Sequence, residues 1–242
     1  KSIGKDARPG NPNPTVVGVE CGLLNSMGLP NLGVDEAFNE LQEAVTILDV
    51  PLIVSIYGFS PKEFLEVSKK LDNLNISAFE LNVSCPHVEK LGFEMGQNME
   101  TIAEVVKNVK SATRKPVFIK LSPNVSNIVD LARAAVDSGV DGITAINTVR
   151  AMSIDVESGK PILNGRFGGL SGPAIKPIAI RCVYEIFESL DIPIIGCGGI
   201  TRWEDAAEFL MAGASAVQIG TAILYKDLTV FMEIIQGLND YV

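Results

Sequence analysis

One histidine and four cysteines, with no CxxC pair among them, leave little material for a zinc centre. The scatter of Cys21, Cys85, Cys182 and Cys197 points instead to reduced thiols in a cytoplasmic protein. No apolar run approaches the roughly 18 to 20 residues that cross a bilayer. The longest, such as Pro51 to Ile56 and Ile192 to Ile195, are of strand length, so a soluble protein with no membrane partner is expected. Basic residues are also in deficit: 20 Lys and Arg face 29 Asp and Glu, a net charge of −9. That balance opposes a phosphate backbone and argues against nucleic acid, so any anionic ligand must be held locally. No GxGxxG dinucleotide fingerprint occurs, and no signal peptide is visible, although the chain opens on Lys1 rather than Met.

What is present is a rhythm. Six short apolar segments read as strands: Leu52 to Ile56, Ala78 to Val83, Val117 to Leu121, Gly142 to Asn147, Pro193 to Gly196 and Ala216 to Ile219. They lack in/out alternation, as parallel strands covered on both faces do. Helical patterns fill the gaps. Ser60-Pro61-Lys62-Glu63 reads as a capping box with proline at the first helical position, and Thr201-Arg202-Trp203-Glu204 as a second box. A helix from Asn98 should bury Ile102, Val105, Val106 and Val109, and another is expected over Ser126 to Ser138, ending at Gly139.

Repeated βα units close into an eight-stranded barrel or open into a doubly wound sheet. Gly196-Cys197-Gly198-Gly199-Ile200 after one late strand and Gly220-Thr221-Ala222 after the next match the phosphate loops that follow strands 7 and 8 of a (β/α)8 TIM barrel. The visible strands are then 3 to 8, and the first two are expected ahead of Lys1. Residues 1–242 read as a single domain of this barrel, N-terminally incomplete. Residues 3 to 33 and 148 to 172 read as long excursions over its mouth.

The chemistry sits at strand ends. Phe79-Glu80-Leu81-Asn82-Val83-Ser84 runs straight into Cys85, and Pro86 forbids continuation as helix or central strand. A thiol there, with an unperturbed pKa of about 8.5, can act as nucleophile, acid or base, or simply fill space. Lys120 ends a strand where an unpaired ammonium is costly, so it should meet an anion, an electron-rich ring or a carboxylate, or form a Schiff base. Asn25, Asn82 and Asn147 offer amides suited to a flat ligand with alternating NH and C=O groups. Gly198, Gly199, Gly220 and Thr221 let backbone approach an anion closely. His87 and Trp203 read as bland, the latter as packing.

Together these motifs resemble the class 1, cysteine-using dihydroorotate dehydrogenases over essentially the whole chain. The resemblance rests on Asn25-Ser26-Met27-Gly28-Leu29-Pro30-Asn31, on Asn82-Val83-Ser84-Cys85-Pro86, on Ile146-Asn147-Thr148, and on Gly168-Gly169-Leu170-Ser171-Gly172-Pro173 with the two glycine turns. It implies an FMN enzyme of pyrimidine biosynthesis oxidising dihydroorotate to orotate, with Cys85 as the base at C5. It implies pyrimidine contacts from Lys1, Asn25, Met27, Gly28, Leu29, Asn82, Asn147 and Thr148. It implies FMN contacts from Lys1, Ser2, Asn82, Lys120, Ile146, Ser171, Gly172, Cys197, Gly198, Gly199, Gly220 and Thr221. Gly169 to Pro177 is most similar to the NAD-linked subclass, which implies an FAD and iron–sulfur electron-transfer subunit joined to a homodimer.

Two positions depart from that pattern. His87 makes Ser-Cys-Pro-His similar to dihydropyrimidine dehydrogenase, an alternative FMN oxidoreductase, and Ser55 stands where many relatives carry asparagine. Two further alternatives are a flavin-free aldolase using Lys120 as Schiff base and a flavin-binding subunit without turnover.

Overall fold

The computed structural model describes residues 2–84 and 95–241. In chain order the strands are β1 (Val16–Val19), β2 (Gly22–Asn25), β3 (Ile53–Ile56), β4 (Ala78–Asn82), β5 (Val117–Leu121), β6 (Gly142–Ala145), β7 (Val149–Ala151), β8 (Ile154–Asp155), β9 (Lys160–Pro161), β10 (Gly168–Ser171), β11 (Ile194–Cys197) and β12 (Ala216–Gln218). The six expected strands are therefore β3, β4, β5, β6, β11 and β12. Two compact units are present: Lys1–Gly10, Gly28–Leu121 and Val129–Ile143 form the first, and Asn11–Met27, Ser122–Ile128 and Thr144–Val242 the second.

In the first unit β3, β4 and β5 run parallel, with Ile56 opposite Leu81 and Asn82 opposite Lys120. The helix Pro61–Leu71 follows β3 because Ser60 accepts from the Glu63 N–H at 3.3 Å while Glu63 Oε2 accepts from the Phe59 N–H at 2.8 Å. It buries Phe64, Val67 and Leu71, one per turn. The helix Met99–Ala112 is capped by Asn98, which accepts from the Thr101 N–H at 2.8 Å, and buries the four residues its spacing predicts. These two helices pack against each other and against β3 and β5. Ile3 lies parallel to Ile56, its N–H donating to Ser55 O at 2.8 Å and its carbonyl accepting from Tyr57 N at 2.9 Å. Ser2 is thereby brought to the carboxyl end of β3.

In the second unit β11 and β12 are parallel, and the Ile146 N–H at the end of β6 donates to Cys197 O at 2.8 Å. The rest departs from the sequence expectation. Residues 148 to 172 are not an unstructured excursion: β7, a β8–β9 hairpin and β10 occupy them, and β1–β2–β10–β7 form an antiparallel sheet. Glycine makes this possible, since a Cβ on Gly22 would collide with the Ser171 carbonyl. The second capping box is also displaced by one residue. The helix Trp203–Met211 is capped through Asp205, which accepts from the N–H groups of Thr201 and Arg202, rather than through a Thr201–Glu204 pair. The expected helix over 126–138 is shorter, Ile128–Asp137. Trp203 packs as expected, its ring 5.3 Å from that of Tyr241 and against Gly237. No helix among the described residues is long and apolar enough to cross a membrane.

Candidate active site

In the first unit, three carboxyl strand ends gather a polar cluster. Asn82 Nδ2 donates to Ser2 Oγ at 2.9 Å, and Ser2 Oγ lies 2.9 Å from Ser55 Oγ. Lys120 is the register partner of Asn82 on the next strand, so the parallel ladder sets the two residues side by side on one face of the sheet. Asn82 Oδ1 also accepts from the Ser84 N–H at 3.3 Å, turning the chain immediately before Cys85. The Ser84 hydroxyl is buried and has no partner among the described residues. Ser2, Asn82 and Lys120 are thus brought together, and Ser55 joins them. Lys1, Cys85 and His87 lie outside the described residues.

The same unit fixes Gly28 and Leu29, both at positive φ (73° and 56°), through a residue that sequence reading left without a role. Asn31 donates to Leu29 O at 2.9 Å and to Tyr57 Oη at 2.8 Å, and accepts from the Gly33 N–H at 2.9 Å. Its signal in the sequence was its place at the end of the Asn25 to Asn31 motif.

In the second unit Asn25, at the end of β2, donates to Gly169 O at 3.2 Å. A Cβ on Gly169 would collide with the Thr148 side chain, so the glycine brings Asn25 and Thr148 to one place. Asn147 accepts from the Thr148 N–H at 2.8 Å, and Asn124, unassigned from sequence, clamps this turn by donating to Thr148 O at 3.1 Å and accepting from Arg150 N at 2.8 Å. Met27 is held by its carbonyl, which accepts from Asn11 N at 3.0 Å. The neighbouring Ser26 hydroxyl is the second buried side-chain polar atom without a partner among the described residues.

Three turns of this unit converge. Thr221 Oγ1 lies 2.8 Å from Ser171 Oγ, and a Cβ on Gly199 would stand 2.9 Å from Gly172 O. Gly172, Gly198 and Gly199 have φ of 95°, 136° and 78°, the region where a side chain is strained. A Cβ at Gly220 would meet nothing within 4 Å, so that turn borders open space. Uncharged turns that present backbone and hydroxyls to a shared space fit a phosphate. Cys197 and Ile146 lie behind them, joined by the β6–β11 hydrogen bond. Beneath the turns, Lys176 Nζ contacts Asp205 Oδ1 at 2.9 Å and Glu208 Oε2 at 2.7 Å. The hydrogen bond it donates to Glu208, then that to Asp205, hold the Lys176 ammonium above its ordinary pKa. Burial works to raise Asp205, but hydrogen bonds from Lys176 and Thr201 outweigh it and leave the carboxyl below the usual range.

Parallel strands joined by helices, with polar side chains at carboxyl strand ends in the first unit and glycine turns after the late strands in the second, define the class: an α/β barrel protein of the enzyme-bearing kind. The comparisons agree. A solved structure of DHODH from Eimeria tenella in complex with ferulenol superposes with TM-score 0.83 at 21% identity, covering 99% of this chain and 73% of that one, which shows the (β/α)8 fold. The profile of the dihydroorotate dehydrogenase family matches residues 1–242. The catalytic subunit of dihydroorotate dehydrogenase B (NAD(+)) from Pyrococcus abyssi is 52% identical over 241 residues, covering 100% of this chain and 80% of the relative. That of Methanocaldococcus jannaschii is 51% identical over 237 residues, covering 97% and 77%. This chain belongs to the dihydroorotate dehydrogenase family. It is an oxidoreductase of pyrimidine biosynthesis, and its family is flavin-dependent. The aldolase and dihydropyrimidine dehydrogenase alternatives are not favoured by that membership.

Proposed function

We propose that the chain is the FMN-binding catalytic subunit of a cytoplasmic, NAD-linked dihydroorotate dehydrogenase, residues 1–242 serving as a single FMN-binding domain. The observation that carries the reading is the cluster of Ser2, Ser55, Asn82 and Lys120 at parallel strand ends, in which Asn82 stands three residues before Cys85 in sequence. Cys85 takes the C5 proton of dihydroorotate. Asn25, Asn82, Asn147 and Thr148, with Lys1, Met27, Gly28 and Leu29, orient the pyrimidine ring through groups that match its alternating donors and acceptors. The buried hydroxyls of Ser26 and Ser84 support a polar ligand nearby, because a buried unpaired hydroxyl costs roughly 1 to 3 kcal/mol until something bonds it. Ser171, Gly172, Gly198, Gly199, Gly220 and Thr221 hold the FMN phosphate, while Ser2, Lys1, Ile146 and Cys197 border the cofactor. The chemistry FMN supplies when bound is acceptance of the hydride that leaves C6. Lys120 contributes a fixed positive charge that favours the electron-rich state. The relatives named as NAD(+) catalytic subunits support a separate electron-transfer partner; we take that partner to carry FAD and an iron–sulfur cluster and the core to be a homodimer.

The test is anaerobic addition of dihydroorotate to the purified yellow protein. Bleaching of the visible flavin absorbance with release of orotate is expected; a spectrum unmoved by dihydroorotate would sink the proposal.

A further inference from the structure

Lys176 follows Ser171-Gly172-Pro173 in sequence and looks, on position alone, like a lysine reaching for phosphate. Its geometry directs it elsewhere. The ammonium is engaged by Asp205 at 2.9 Å and Glu208 at 2.7 Å, so two carboxylates already offset one positive charge. Asp205 is only 4% exposed and uses both oxygens. Oδ1 takes Lys176, while Oδ2 accepts from Thr201 N at 2.9 Å, Thr201 Oγ1 at 3.0 Å and Arg202 N at 3.2 Å. Lys176 opens the helix Lys176–Ser189 one short 3-10 turn (Pro173–Ile175) after Gly172, and Thr201–Arg202 follow the Gly198–Gly199 turn with only Ile200 between. One carboxylate therefore joins the downstream ends of two turns.

The turns are also in backbone contact at that junction. A Cβ on Gly199 would stand 2.8 Å from Lys176 Cβ, 2.9 Å from Gly172 O and 3.0 Å from Lys176 N. The packing is tight enough that a small change in spacing would propagate to both turns.

We propose that Lys176 and Asp205 are positioning residues for the cofactor's phosphate: their ion pair sets the spacing between the Gly172 and Gly198–Gly199 turns, so that backbone groups and hydroxyls, and no lysine charge, grip the phosphate. The inference rests on the FMN reading above. It differs from a general stabilising role in what it discriminates, because misplaced turns should weaken FMN, which carries the phosphate, and spare riboflavin, which does not.

The full-length protein is stripped of flavin and titrated with FMN and with riboflavin, following flavin fluorescence, as wild type, Lys176→Met and Lys176→Arg. Lys176→Met should raise the FMN Kd tenfold or more with less than a twofold change for riboflavin, and Lys176→Arg should restore FMN to within about threefold, since a guanidinium can bridge both carboxylates. Should Lys176→Met fail to fold by circular dichroism, Lys176→Gln, which keeps a donor without the charge, is judged by the same ratio. Parallel weakening of both flavins, or an FMN preference that survives the loss of the charge, overturns the proposal while leaving the FMN reading intact. A wild-type protein that binds riboflavin as tightly as FMN overturns both.

Discussion

Cys182 shows how a fold can silence a thiol. Cys182 is fully buried on the helix Lys176–Ser189, and burial pushes its thiol up to about 11. It stays protonated at neutral pH and should resist alkylation in the native protein, whereas the exposed Cys21 reacts first. Linkage fixes the pH sense. Below the unfolded thiol's pKa of about 8.5 both states hold the proton and nothing is lost; from there up to about 11 only the unfolded chain releases it, so stability falls as pH rises. Denaturation midpoints measured between neutral and alkaline pH, compared with those of Cys182→Ala, should show the alkaline loss shrink in the variant. Cys85 carries the opposite expectation. Cys85→Ala should keep bound FMN yet slow its reduction by dihydroorotate by roughly 10² to 10⁴, the usual worth of a general base. Stopped-flow flavin reduction measures this, and an unchanged rate removes Cys85 from the mechanism.

Elements were legible where one local signal sufficed. Ser60 at the start of Pro61–Leu71 and Asn98 at the start of Met99–Ala112 cap as their spacing predicts, and β4 and β5 show the apolar runs a covered parallel sheet requires. Ser60→Ala should cost about 1 kcal/mol and lower the Tm by roughly 2 to 4 °C, readable by calorimetry. The antiparallel sheet β1–β2–β10–β7 was not legible. Its strands hold three or four residues, three of them contain glycine, and Asn25 pairs with Gly169, so no local alternation announces the register. The residue types of the candidate site, strand-end amides and glycine turns, are visible in the chain. The supporting contacts were not. Asn31, Asn124 and Asp205 act through partners that only the fold supplies, and Asp205 took the cap that a sequence reading gave to Glu204. Gly169→Ala tests the new sheet: its Cβ would press on Thr148, so the KM for dihydroorotate should rise with little change in flavin content.

At the scale of the whole molecule, the question is where the electrons go. The 242 residues contain no dinucleotide fingerprint, and four scattered cysteines cannot supply an iron–sulfur cluster held by four thiolates. Among the described residues Cys21, Cys182 and Cys197 are reduced thiols in three different settings: exposed, buried and half-buried. On the proposed FMN reading, residues 1–242 carry the reductive half of the reaction and the proposed partner subunit carries the electrons on to NAD. The purified chain should therefore turn over dihydroorotate with an artificial dye acceptor while giving no NADH from NAD, and adding an FAD and iron–sulfur subunit of the kind proposed should restore NADH formation without changing the rate of flavin bleaching. Formation of NADH by this chain alone at a rate matching the dye assay would show that the electron path ends within it, and the need for a partner would disappear.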